Sequence, residues 1–324
     1  MTSQLAYIGK VIEISPIEGA DRIESLTVVC GKGGKWRGVA QKEMFKVGDF
    51  CETFLQDSIL PATDRFSFME KHSYKIRMQR FKGVPSEVLI MPLTINGNIG
   101  DDITEIIEVK KYSKPIPASF EGETAGLMPS FIPKTDEPNF QRVPELVEYM
   151  KGRLYYATEK VDGMSVTVYD YNGHFGVCSR TLEKRRSSSN KLWQIAEKYD
   201  LENKMKSTNL ALQFELAGPG IQGNKLGLKE LTPFLFNIWD IEKQIYFDGN
   251  YTLTYAEEIF NFPTVKILDW GNGFNFTDEQ LRKMAEGTYD NGKQREGIVI
   301  RPLFESRHNN MRVSFKVINL LYKD

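Results

Sequence analysis

The sequence predicts an α+β fold in two domains. A small β-barrel is expected over residues 1–112, and a larger domain of mostly antiparallel sheets with flanking helices over residues 113–324. The chain has 324 residues, which exceeds the size at which single cores usually stop growing. Its first third contains short strand patterns separated by turn signals. Residues 113–133 then have the proline and glycine density of a linker.

The first domain is predicted to contain five strands. Each is a short run rich in β-branched or aromatic residues, and Gly31 to Gly34 form a turn after the second. The predicted strands are residues 6–14, 23–29, 36–40, 50–55 and 83–91. Short strands with turn signals and few helical patterns favour a closed barrel.

Composition excludes several classes of protein. Hydrophobic residues make up 41% and charged residues 26%, which is typical of a soluble globular protein, and no apolar run approaches the length of a membrane helix. Cys30, Cys51 and Cys178 are too few and too far apart for a disulfide framework or a zinc site, so a cytoplasmic setting is expected. The net charge of −1 gives no general attraction to nucleic acid, although Lys184 to Arg186 and the serines after them suit a phosphate backbone.

Lys160 is the first candidate catalytic residue in the larger domain. The segment Glu159 to Gly163 lies between two strand patterns, which places a lysine and a carboxylate, Asp162, in a tight loop. A lysine in such a loop can serve as a nucleophile. By itself the pattern is more typical of a surface turn, so its interpretation depends on the strand patterns nearer the C-terminus.

Three later strand patterns each contain one charged residue among apolar ones. Glu215 lies within a leucine- and phenylalanine-rich strand, Glu296 begins a β-branched strand, and Lys316 lies within the last strand pattern. Edge-strand charges are the ordinary explanation. A charge within an apolar strand nevertheless requires a partner or a ligand, and three of them after a loop lysine favour a shared site.

In this order the segments resemble the covalent nucleotidyltransferase superfamily, which comprises ATP-dependent DNA and RNA ligases and mRNA capping enzymes. The resemblance runs from about Met128 to the end of the chain. It is carried by the segments EKVDG, SR, FELAG, FNIWDI, EGIVI and SFK.

Two further features of the sequence resemble those of the RNA ligase branch of this superfamily. The segments at residues 179–201 and 215–222 look like that branch, and only eight residues follow Lys316, too few for the OB domain that DNA ligases and capping enzymes carry there. The N-terminal segments GKVIEISPIEGADRIESLTV and RFKGVPSEVLIMPL look like the OB modules of some tRNA synthetases and of one group of RNA ligases. Such a barrel either binds RNA or braces the catalytic domain, and the sequence leaves both open.

The resemblance implies a role for each candidate residue. Lys160 attacks the α-phosphorus of ATP and carries AMP, with Lys316 on the α-phosphate and Asp162 beside the nucleophile. A Mn²⁺ or Mg²⁺ ion is expected on Glu296, Asp162 and Glu215, directly or through waters. The remaining nucleotide contacts are Glu215 to the ribose, Trp239 to adenine with Phe236 as the reserve, and Arg180 to phosphate or ribose. Glu296 is also counted among the nucleotide-binding residues. Relatives often have Lys-x-Lys where this chain has Ser314 to Lys316.

The resemblance implies an ATP-dependent RNA ligase that joins 3′-OH and 5′-phosphate ends through lysyl-AMP and RNA-adenylate. Nicks with RNA on the 3′-OH side are the expected substrate. We expect RNA as the partner, as a nicked duplex or RNA–DNA hybrid, no membrane contact, and a monomer. Two alternatives stay open: another covalent nucleotidyltransferase, of the DNA ligase or capping type, and a non-catalytic RNA-binding protein on a ligase fold.

Overall fold

The computed structural model describes residues 4–112 and 123–322, which form two compact units. The described part of the first unit is residues 4–112 with 140–145, and that of the second is 123–139 with 146–322. The segment 140–145 thus packs with the first unit, although the sequence prediction counts it with the second. Part of the predicted linker, residues 113–122, lies outside the described residues. Within the described ranges no helix is long and apolar enough to cross a membrane.

The first unit is a small barrel. Its strands are β1 (Ala6–Pro16), β2 (Ile23–Cys30), β3 (Gly34–Gln41), β4 (Phe50–Phe54), β5 (Ser58–Ile59), β6 (Gln79–Phe81), β7 (Val84–Ser86), β8 (Leu89–Pro92) and β9 (Lys110–Lys111), with a 3₁₀ helix at Asp64–His72. Five of them pair in the order β3-β2-β1-β4-β8. A bridge between Gly38 and Val88 returns β3 to the other end of this sheet and closes it. Gly38 allows the approach, because a Cβ there would collide with the Ile90 side chain.

The predicted strands of the barrel are confirmed, except that the fifth is divided into β7 and β8. The Glu87 N–H between them donates to the Arg37 carbonyl of β3 at 2.7 Å. β1 serves two apolar clusters because its side chains alternate between the two faces: Ala6 and Ile8 belong to one cluster, and Tyr7 and Val11 to the other. The register shift between Val11 and Glu13 brings Ile14 to the second cluster as well.

The second unit contains two larger antiparallel sheets. Its strands are β10 (Thr124–Leu127), β11 (Tyr155–Glu159), β12 (Met164–Tyr171), β13 (His174–Ser179), β14 (Leu182–Lys184), β15 (Leu210–Ala217), β16 (Thr232–Asp240), β17 (Ile245–Tyr246), β18 (Ile267–Gly271), β19 (Gly297–Pro302), β20 (Arg307–His308), β21 (Met311–Arg312) and β22 (Phe315–Ile318). One sheet has the order β10-β14-β13-β12-β15-β16-β17 and the other β18-β11-β19-β22. β20 and β21 form a separate two-stranded sheet.

Some of the short helices cover one face of the seven-stranded sheet. The α-helices are α1 (Pro144–Met150), α2 (Lys191–Lys198), α3 (Leu201–Lys204), α4 (Gly249–Thr254) and α5 (Asp278–Ala285), and a π-helical turn spans Tyr255–Phe260. The Asn190 side chain caps α2 by accepting from the Leu192 and Trp193 N–H groups. Residues of α2 and the π-helical turn pack with Val166, Leu212 and Phe214 in the largest apolar cluster. The predicted α+β architecture is confirmed.

The opposite face of the seven-stranded sheet is crossed by residues 131–139, here named the lead-in segment. Its Phe131 carbonyl accepts from Trp239 Nε1 at 3.1 Å, and its Pro133 carbonyl accepts from Gln213 Nε2 at 2.7 Å. At its other end, the Pro138 carbonyl accepts from the Lys316 N–H in β22 at 2.8 Å. The segment therefore connects the two sheets of the second unit.

Candidate active site

The loop between β11 and β12 carries Lys160 beside the start of β19. The Lys160 N–H donates to the Gly297 carbonyl at 3.0 Å, and Lys160 Nζ lies 2.6 Å from Glu296 Oε1. Each of these two side chains is 22% exposed. The amine is therefore partly shielded yet accessible to a ligand, and Glu296 lies in the same site as Lys160.

Glu215 enters the same site from β15. It lies opposite Ser165 of β12. Ser165 comes just after the loop of residues 160–163, here named the nucleophile loop after the predicted role of Lys160. Gly163 lets this loop approach β15, because a Cβ there would meet the Leu216 carbonyl. Burial raises the pKa of Glu215 to about 8, Lys160 opposes that rise, and the charges of Glu296 and Asp162 reinforce it.

The charge of Lys160 is set by two opposing effects. Burial lowers its pKa, whereas Glu296, Glu215 and Asp162 raise it, and the net pKa lies above the ordinary value of a lysine. An amine attacks phosphorus only when neutral. In this arrangement of charges Lys160 is held as a cation, so its activation requires positive charge to be placed near the carboxylates.

Lys316, in β22, lies in the same sheet as β11, the strand that precedes Lys160. In the register it is opposite Val299 of β19, and Val299 is opposite Thr158 of β11. Because directly paired residues share a face, Lys316 projects from the face that carries Thr158, two residues before Lys160. The fold thus places this second lysine on the sheet face that leads to the site.

The two aromatic candidates for adenine occupy different places. Phe236 is partly buried and belongs to an apolar cluster with Val161, the residue next to the nucleophile. Trp239 is only 3% exposed and packs against Ile132 and Tyr246. It pairs with Ala211, four residues and about 13 Å along β15 from Glu215. The structure therefore brings Phe236, and not Trp239, next to the loop that carries Lys160.

Arg180 lies outside this cluster on the surface. It is paired with Asp136 of the lead-in segment, and both side chains are about half exposed, at 56% and 48%. In the neighbouring basic cluster at residues 184–186, Arg186 is bound to Glu202 of α3 at 2.9 Å. A nucleotide or RNA phosphate would compete with these carboxylates for either arginine.

Two tyrosines that sequence reasoning missed contact the nucleophile loop. The Tyr322 hydroxyl donates to Asp162 Oδ2, and the Tyr289 hydroxyl donates to the Lys160 carbonyl at 2.9 Å. Neither tyrosine lies in a strand pattern or in one of the resembling motifs. Only the folding of their segments onto the loop reveals them.

The carboxylates near Lys160 suit a hard divalent cation. Asp162, Glu215 and Glu296 provide only oxygen donors, which Mg²⁺ and Mn²⁺ prefer. Across residues 4–112 and 123–322, no group of three or more His, Cys, Asp or Glu side chains is arranged to hold a metal ion by itself. The donor set fits an ion that keeps several waters and is held by one or two carboxylates together with substrate phosphates.

Comparisons with known proteins identify the family and the fold. The RNA ligase family model matches residues 153–318, and an OB-fold domain model matches residues 5–93. An apo variant of the Naegleria gruberi RNA ligase is 33% identical with a TM-score of 0.84, and the match covers 99% of this chain and 98% of that one. No curated protein sequence matches the chain.

Ligand-bound structures of the Naegleria gruberi enzyme are equally similar. The structure with pyrophosphate is 34% identical with a TM-score of 0.83, and a variant with AMP and Mn is 34% identical with a TM-score of 0.84. Both matches cover 99% of this chain and 98% of that one. The likeness spans both units and confirms the predicted order of an OB-fold domain followed by the larger domain.

Proposed function

The chain belongs to the RNA ligase family, and we propose that it seals RNA ends in an ATP-dependent reaction through lysyl-AMP and RNA-adenylate. The observation that carries this proposal is the partly exposed Lys160 amine, 2.6 Å from Glu296 and surrounded by carboxylates. The ATP, AMP, Mn and pyrophosphate found with the Naegleria gruberi enzyme support ATP as the substrate and Mn²⁺ as the metal.

In the first step Lys160 Nζ forms a bond to the α-phosphorus of ATP, and the bond to pyrophosphate breaks. Before the attack Nζ releases its proton to solvent, and Lys316 compensates negative charge on the α-phosphate. Asp162, Glu215 and Glu296 would hold a divalent ion, which would offset these carboxylates and lower the pKa of Lys160. The residues of the chain thus position the amine and the phosphate, which is most of what such a transfer requires.

The nucleoside is held by groups on the seven-stranded sheet. Glu215 accepts hydrogen bonds from the ribose hydroxyls, and Phe236 stacks on adenine beside Val161. Arg180 exchanges Asp136 for a phosphate when RNA or nucleotide binds.

The remaining steps pass AMP to RNA. The 5′-phosphate of the RNA attacks lysyl-AMP and frees Lys160, and the 3′-OH then attacks the RNA-adenylate and releases AMP. We propose that the substrate is a nick with RNA on the 3′-OH side, in a duplex or RNA–DNA hybrid, acted on by a monomer in the cytoplasm.

The test of the nucleophile is covalent labelling. Wild type incubated with α-labelled ATP and Mn²⁺ is expected to carry label on a denaturing gel, and Lys160→Ala is expected to carry none. Lys243→Ala is the matched control, because Lys243 is 71% exposed and paired with Asp240, and it should label like wild type. Labelling by GTP in place of ATP would contradict the nucleotide assignment, and no label with either would contradict the enzymatic proposal.

The acceptor is tested separately with nicked duplexes. Sealing is expected when the strand that ends in the 3′-OH is RNA, and sealing of an all-DNA nick at the same rate would contradict the substrate proposal.

A further inference from the structure

Tyr289 is a buried tyrosine at the junction of the nucleophile loop and β19. It is 3% exposed. Its hydroxyl donates to the Lys160 carbonyl at 2.9 Å and accepts from the Asp162 N–H and the Glu296 N–H, both at 3.2 Å. A phenol has one donor and two acceptor positions, so these three bonds use its full capacity.

The three groups bound by this hydroxyl belong to the three residues on which the proposed first step depends. Lys160 is the nucleophile, and Asp162 and Glu296 are carboxylates that surround it. The Lys160 loop and the start of β19 are also joined by the bond from the Lys160 N–H to the Gly297 carbonyl and by the contact of Lys160 Nζ with Glu296. One oxygen atom therefore ties the backbone of the nucleophile to the backbone of both acids.

The backbone of Tyr289 is held in place by the turn in which it lies. The Tyr289 N–H donates to the Lys293 carbonyl at 2.8 Å, which closes a tight turn between α5 and β19. Arg295, at the end of this turn, donates to the carbonyls of Met284 and Glu286 at the end of α5, at 2.7 and 2.6 Å. The hydroxyl is thus presented by a turn that is anchored to a helix, which limits its freedom to follow the loop.

From this geometry we infer that Tyr289 is a positioning residue for lysine adenylylation. Its hydroxyl sets the spacing of the Lys160 amine from the Asp162 and Glu296 carboxylates, and it does so without touching ATP. The inference rests on the proposed function, and it assigns to that site a residue outside the motifs that carry the family resemblance.

Tyr289→Phe keeps the ring and removes the hydroxyl, which leaves one carbonyl and two N–H groups of the site without this partner. We expect the rate of label transfer from saturating ATP to Lys160 to fall about tenfold, since small misplacement of a nucleophile has effects of at least this size. The half-saturating ATP concentration should stay within about twofold of wild type, because uniform binding is unaffected. A general loss of structure would not separate these two quantities.

Tyr155→Phe is the matched control. Tyr155 is also buried, lies on β11 just before the loop, and donates its hydroxyl to Asp269 Oδ2 at 2.7 Å, away from Lys160. Rates are measured below the melting transitions of wild type and both variants. The inference is supported if Tyr289→Phe alone loses rate at constant half-saturating ATP.

The inference is overturned if Tyr289→Phe labels within about twofold of wild type. It is also overturned if Tyr155→Phe loses rate equally, or if the whole loss is in ATP affinity. Absence of label on wild type would instead refute the proposed function, so the two failures are distinguishable.

Discussion

At the scale of single residues, Glu215 is an acid whose charge is costly in the folded protein. Its pKa is about 8 against an ordinary value of 4.5, chiefly because it is buried. Between these two pH values the unfolded chain releases the proton of Glu215 and the folded chain retains it. The free energy of unfolding therefore falls as the pH rises through this window.

Glu215→Gln removes this effect because an amide does not ionise. Without nucleotide or metal, we expect the variant to melt close to wild type at pH 5 and about 5–10 °C above it at pH 9. Glu230→Gln is the control, since Glu230 is 74% exposed, and it should show no such trend. Melting curves at pH 5, 7 and 9 test this, and an advantage that shrinks with rising pH would contradict it.

Substitutions of the two aromatic candidates are expected to change different properties: ATP binding for Phe236 and thermal stability for Trp239. Phe236→Leu is expected to raise the half-saturating ATP concentration about three- to tenfold, the worth of an aromatic stacking contact, with little change in melting temperature. Trp239→Leu should lower the melting temperature because Trp239 is buried with Tyr246, and it should leave ATP binding unchanged. If Trp239 stacked on adenine, the two variants would exchange these effects.

At the scale of elements, the lead-in segment is the connection between the two sheets of the second unit. Within it Glu137 is paired with Arg301, 3% exposed, at 2.8 Å, and lies 3.8 Å from Arg312. Burial raises the pKa of Glu137, but the two arginines more than compensate and hold it below its usual range. This acid therefore neutralises cations contributed by β19 and β21.

Glu137→Ala leaves Arg301 buried without that carboxylate, so we expect a loss of about 3–5 kcal/mol in the free energy of unfolding. The neighbouring Asp136→Ala is the control. Its pair with Arg180 is exposed, so a loss of about 0–1 kcal/mol is expected. Chemical denaturation measures both, and equal losses would show that the lead-in segment does not depend on the buried pair.

At the scale of the whole molecule, the order of the two domains follows from local patterns, whereas their extent does not. Alternating and β-branched runs identify the strands of the barrel because those residues favour a pleated, half-buried surface. The segment 140–145 packs with the first unit because Gln141 Nε2 donates to the Lys35 carbonyl and Gly34 leaves room for the Gln141 backbone. Residues more than one hundred positions apart make this contact, so no local pattern reveals it.

The sequence by itself determined the candidate residues of the site. Glu215, Glu296 and Lys316 could be selected because charges within apolar strands require partners, and Lys160 because it lies in a tight loop ahead of those strands. Tertiary structure alone decided which aromatic lies next to the loop that carries Lys160. Gln213 and Phe214 of β15 pair with Asn237 and Leu235, which makes Phe236 the extra residue of a bulge. A bulge shifts the alternation of side chains along a strand, and it depends on how the strands pair. The hydroxyls of Tyr289 and Tyr322 likewise reach Lys160 and Asp162 only because segments that are distant in the sequence fold together.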